Sequence, residues 1–160
     1  MNFYGALSRK MKIFHWILAS LIIATLLFIW IQSMLPVSVS VEHSTSVGKA
    51  VISVFPSDSP LADFIMENIR KIAHFTEFGL LGLEVSLYVI LFIRRFRKSV
   101  PLSLAFGFFV AFIDESIQML SDRGSAIRDM WLDILGFLSL TVITYAIAYL
   151  THKLRKRKKQ

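Results

Sequence analysis

Side chains able to move protons, ligate cations or pair with anions recur at short spacings in three stretches of the chain. Lys71, His74 and Glu77 follow one another at intervals of three. Asp114, Glu115 and Gln118 form a second group, and Asp129 and Asp133 a third, with Arg123 and Ser125 between the last two. On a helix turning about 100° per residue, Lys71, His74, Phe78 and Leu81 share one stripe, with Glu77 at its edge. Asp114 and Gln118 stack one turn apart with Glu115 beside them, and Asp129, Asp133 and Gly136 fall on one face. His74, Glu77, Asp114, Glu115, Asp129 and Asp133 offer oxygen and nitrogen ligands for a divalent cation, or acids for a proton-sharing pair. Lys71 and Arg123 suit a phosphate or carboxylate, the arginine in bidentate fashion. The sequence holds no H-E-x-x-H, no G-x-S-x-G and no serine beside an obvious base. It also has no cysteine, which excludes disulfides, thiolate metal sites and a cysteine nucleophile. Catalytic residues, bound metal and cofactor all stay open on these residues alone.

The elements that must position these groups are apolar. Over half of the 160 residues are hydrophobic, and the mean hydropathy is +0.61. A helix needs about 20 mostly apolar residues to cross the hydrocarbon core. Four stretches qualify, at about 13–31, 72–93, 102–120 and 130–150, and they predict an all-α membrane protein of one domain over residues 1–160. The first stretch is too long for a signal-peptide core, and no cleavage site follows it closely. The net charge of +7 does not indicate a nucleic-acid partner. Its lysines and arginines stand in blocks beside the apolar runs, and the phenylalanines lie mostly within those runs rather than between the charges. The blocks are Arg9, Lys10 and Lys12; Arg94, Arg95, Arg97 and Lys98; and the tail 151–160, with Lys153 and Arg155 through Lys159. Basic loops stay in the cytoplasm, so both termini are expected there, with 32–70 and 121–128 outside. The tail then serves as a topology anchor that also attracts anionic lipid.

The long outer loop carries a pattern of its own. Ser44 is a candidate N-cap for a short amphipathic helix with Val47, Ala50, Val51, Val54 and Phe55 on one face. That helix is expected to lie on the outer membrane surface and to end near Phe55, before Pro56. Ser59-Pro60 reads as N-cap and first residue of a further helix feeding the second span.

With this orientation, Lys71, His74 and Glu77 open the second span, Asp114, Glu115 and Gln118 close the third, and Asp129 and Asp133 open the fourth. All therefore reach the same outer-leaflet level. Only Glu84 lies deeper. A charge at mid-span costs roughly 2.5–3.5 kcal/mol on insertion scales. Polar side chains do tie membrane helices together, but packing needs fewer charges than this, which favours one functional site.

The order and spacing of these residues resemble the VanZ-like family. The resemblance rests on Lys71-x-x-His74-x-x-Glu77-Phe78-x-x-Leu81, Asp114-Glu115-x-x-Gln118, Arg123-x-Ser125 and Asp129-x-x-x-Asp133-x-x-Gly136. Ser33 and the run Glu42-x-Ser44-x-Ser46 in the outer loop extend it over nearly the whole chain. Phe78 stands where the family often has tyrosine, and Ser121-Asp122 where it often has Pro-Gly. The resemblance implies a multi-pass protein of the bacterial cytoplasmic membrane. The family takes its name from a member associated with resistance to teicoplanin, a glycopeptide that binds peptidoglycan precursors outside the cell.

Three functions compete on the residues. The first is binding of an envelope lipid or lipid-linked peptidoglycan precursor at the outer leaflet, with an effect on teicoplanin susceptibility. Its ligand-binding residues would be Lys71, His74, Glu77, Asp114, Glu115, Gln118, Arg123, Ser125, Asp129 and Asp133. The alternative is a membrane-embedded acid/base or metal-dependent enzyme acting on a lipid-linked substrate. Proton-coupled transport ranks third, because four spans without an internal repeat are few for a carrier.

Overall fold

The computed structural model describes residues 8–56, 59–92, 96–121 and 127–157, leaving aside the side chains of residues 96–98 and 127. These residues form five helices, α1 (Arg9–Met34), α2 (Val37–Ile52), α3 (Pro60–Phe92), α4 (Phe96–Leu120) and α5 (Ile127–Arg157). Among the described residues there is no strand. Four helices are long and apolar enough to cross a membrane, over Arg9–Met34, Pro60–Phe92, Ser99–Leu120 and Arg128–Arg157. Each coincides with one of the four spans read from hydropathy, the second of which, read as 72–93, is described only to Phe92. Their outer faces expose Ile13, Trp16, Phe28, Phe109, Phe112, Trp131 and Ile147, an apolar surface that lipid solvates and water does not.

Side-chain contacts give the helix directions. His15 near the start of α1 packs on Phe92 at the end of α3, and Thr25 meets Glu84, so α1 and α3 are antiparallel. Ser103 meets Tyr145 and Gly107 lies against Phe137, so α4 and α5 are antiparallel as well. α3 and α5 run parallel and form the most extensive helix pair. Small residues make that pairing possible. A Cβ on Gly82 would strike the carbonyl oxygen of Phe137, and one on Gly136 the carbonyl oxygen of Phe75. With no hydrophobic effect between helices inside lipid, such close backbone approach is what holds spans together. Around this seam Phe78, Leu81, Val85, Val110, Ala111 and Phe137 form the core, joined by Ile29 of α1.

The outer-loop helix exists but starts earlier than its sequence signal. α2 begins at Val37 after Pro36, and Ser44 lies inside it. The Ser44 hydroxyl donates back to the Ser40 carbonyl at 2.8 Å rather than capping a helix end. Ser44 satisfies the local cap pattern, but Pro36 already supplies a helix-compatible φ of −55°, and packing on α3 carries the helix through the intervening valines and serines. α2 ends at Ile52 and a turn follows, with Phe55 donating to the Ile52 carbonyl at 2.9 Å. Gly48 faces Met66 and Ile69 of α3, while Val47, Val51 and Val54 stay exposed. The expected Ser59-Pro60 start is found: Asp63 N–H donates to the Ser59 carbonyl at 3.2 Å, and α3 continues without a break into its span.

Candidate functional site

At the end of the bundle where α1 and α4 finish and α3 and α5 begin, each of these four helices contributes polar side chains. Asp114 of α4 is fully buried and is held from two sides. The Ser33 hydroxyl, from the last turn of α1, donates to Asp114 Oδ1, and Gln118 Nε2 donates to Oδ2 at 2.7 Å. Across the seam, His74 Nδ1 of α3 stands 3.5 Å from Asp133 Oδ1 of α5. This is a charge contact, longer than the 2.7–3.2 Å typical of an N–H···O hydrogen bond.

Asp133 is only 1% exposed, and among the described residues neither of its oxygens has a hydrogen-bond partner. Both oxygens of buried Glu115 are in the same condition. The electrostatic neighbours of Glu115 are Asp133, Asp129, Asp114 and His74, so several acids and one imidazole share a local field. Ligand atoms of His74, Asp114 and Asp133 all lie within 4.8 Å of one another.

Two pockets reach this cluster. One, of about 230 Å³, lies between α3, α4 and α5, lined by Arg70, Lys71, His74, Gln118, Asp129 and Asp133 among others. The second, also about 230 Å³, lies between α1, α2 and α3 and includes Gln32, His43, Arg70, His74 and Glu77. Arg70 and His74 form the wall between them.

The structure therefore brings Lys71, His74, Gln118, Asp129 and Asp133 to one pocket, with Lys71 exposed at its edge. Asp114 and Glu115 are buried in the helix-packing layer next to it. Glu77 faces the other pocket. Arg123 and Ser125 lie outside the described residues. Glu84 is buried deeper, and Thr25 of α1 donates a 3.1 Å hydrogen bond to its Oε1.

Two participants have little or no place in the sequence reading. Arg70 marks the end of the outer loop there, yet it lines both pockets, and its Nε is buried without a hydrogen-bond partner among the described residues. Its position one turn before His74 is the signal that would have found it. Thr25 carries no such signal, since a lone threonine in an apolar run is commonplace.

The sequence profile of the VanZ/LLP1 family matches residues 16–149. The chain belongs to the VanZ/LLP1 family. The match runs from Trp16 in α1 to Tyr149 in α5, so the four-helix cluster and α2 all fall within it. No curated protein and no solved structure matches the chain. This VanZ/LLP1 chain is thus a multi-pass membrane protein whose buried carboxylates, Glu84 apart, converge at one end of its helices.

Proposed function

We propose that the pocket between α3, α4 and α5 binds the anionic headgroup of an envelope lipid or lipid-linked peptidoglycan precursor at the outer face of a bacterial cytoplasmic membrane. In this reading residues 1–160 act as one unit with both termini in the cytoplasm, which the basic Arg9, Lys10, Lys12 and Lys153 at the opposite end of the bundle support. One observation carries the reading. Arg70 and Lys71 border a polar pocket at the bundle end, and the buried Arg70 Nε has no hydrogen-bond partner among the described residues. A buried N–H without a partner is costly, and a phosphate or carboxylate oxygen would satisfy it with a charge-assisted bond. Asp129 and Gln118 on the facing wall suit the amines and hydroxyls of such headgroups. A ligand of this class lies close to the target of teicoplanin, and sequestering it is a route to altered susceptibility.

The test is mass spectrometry of lipids retained by the purified protein, compared with the bulk membrane. An anionic lipid or polyprenyl phosphate enriched on the wild type should be retained about 10- to 100-fold less by Arg70→Gln, the value of one charge-assisted contact of about 1.5–3 kcal/mol. Equal retention by the variant, or no enrichment at all, refutes the reading. The enzymatic alternative is favoured by one feature, the imidazole of His74 set against two buried carboxylates. Turnover of a retained lipid by wild type but not by His74→Gln would establish it.

A further inference from the structure

We infer that His74, Asp114 and Asp133 form a binding site for one divalent transition-metal cation of the zinc and manganese class. Nitrogen and carboxylate oxygen bind zinc at about 2.0–2.2 Å, so ligands at tetrahedral angles stand about 3.3–3.6 Å apart. The His74–Asp133 separation of 3.5 Å fits two ligands of a shared ion and is longer than the usual N–H···O hydrogen bond. The three donors come from three different helices and lie within 4.8 Å of one another, so a small inward movement closes them on one centre.

A second observation is independent of that spacing. Asp133 is almost fully buried, yet both its oxygens lack hydrogen bonds among the described residues, and both oxygens of Glu115 share that lack. Buried carboxylates are ordinarily paired, hydrogen-bonded or bound to metal. Asp133 has the long contact with His74, and Glu115 lies in the combined field of Asp133, Asp129 and Asp114 as well as His74. A dication held by His74, Asp114 and Asp133 compensates this concentration of negative charge. Asp114 has the support expected of a metal ligand. Its oxygens accept from Ser33 and Gln118, leaving lone pairs for the ion while fixing the carboxylate's orientation. His74 and Asp133 also line the pocket, so an ion has a way in, and the site adjoins the space assigned above to the headgroup.

The experiment uses the full chain in non-ionic detergent, without a polyhistidine tag, stripped with EDTA and then titrated with Zn²⁺ or Co²⁺. The expected result is about one ion per chain by elemental analysis, with a cobalt absorption spectrum of low-coordinate N/O ligation. Asp133→Asn and His74→Gln should lose the ion, while Glu84→Gln, away from the cluster, should bind as wild type does. Ser33→Ala keeps every ligand but removes support from Asp114, and should weaken affinity about 10- to 100-fold. That variant decides the matter if the ligand variants fail to fold. No stoichiometric ion on the wild type overturns the site, as does full retention by a folded Asp133→Asn or unchanged affinity in Ser33→Ala. Because metal is read in detergent and lipid retention by mass spectrometry, failure of one reading leaves the other standing.

Discussion

Asp114 accepts hydrogen bonds from two helices' side chains at full burial, and that makes it the residue on which the others depend. Ser33→Ala leaves one of its oxygens short of a donor, and an unsatisfied buried acceptor costs about 1–3 kcal/mol. Thermal unfolding in detergent should register the loss, and an unchanged midpoint would mean that Ser33 is dispensable. His74 and Asp133 are expected to behave as a unit. The double variant His74→Gln with Asp133→Asn should be little worse than either single change, departing from additivity by about 0.5–3 kcal/mol in stability or ligand retention. Additive losses would return the pair to ordinary helix packing. Much of this cluster is legible from spacing, because carboxylates and a histidine at three- and four-residue intervals in apolar helices have few other readings. The division of labour is not legible. Nothing in the spacing says that Glu77 would face a different pocket from Asp133, or that Arg70 would share the wall with His74, because both depend on how far each helix rotates when packed.

Among the elements, the parallel pair α3 and α5 is set by glycine. Gly82→Ala and Gly136→Ala place a methyl against a backbone carbonyl, which side-chain rearrangement does not relieve. Each should destabilise the protein by about 1–3 kcal/mol. Gly79→Ala, whose Cβ would meet Gly136 at 3.4 Å, should be milder. Denaturant titration followed by helical circular dichroism would rank the three, and equal effects would argue against the close-approach account. The four spans themselves are read correctly from hydropathy, because length and apolar composition are all that crossing a bilayer demands. The glycine seam is harder to see, since lipid-facing and helix-facing surfaces are both apolar. The start of α2 is missed for a related reason: Ser44 satisfies a local capping rule, while the packing of Gly48 on α3 is a tertiary fact.

For the molecule as a whole, the polar cluster lies at the opposite end of the helices from the described basic residues Arg9, Lys10, Lys12 and Lys153. Ser46 on α2 is exposed at the cluster end, and Thr151 on α5 is exposed at the other. A cysteine at Ser46 should react with a membrane-impermeant thiol reagent in intact cells, whereas one at Thr151 should react only after permeabilisation. The reverse pattern would invert the topology and place the pocket in the cytoplasm. Within α3, Glu84 lies between the two ends, hydrogen-bonded to Thr25. Thr25→Val removes the donor of a buried carboxylate whose other oxygen has no hydrogen-bond partner among the described residues, and should cost about 1–3 kcal/mol while leaving topology intact.

The length of α3 has a consequence for the kind of membrane the protein can serve. At about 1.5 Å per residue, its 33 residues reach about 50 Å, against a hydrocarbon thickness of about 30 Å. His74 is 18 residues from Phe92, or about 27 Å, so with Phe92 at one edge of the hydrocarbon the imidazole falls near the other edge. A few ångströms of bilayer thickening would submerge the imidazole, and a few of thinning would bring it into water. Hydrophobic mismatch therefore acts directly on the chemistry of this site. In vesicles of graded acyl-chain length, ligand retention should peak at one thickness and fall on either side, with chain length setting the occupancy of the site.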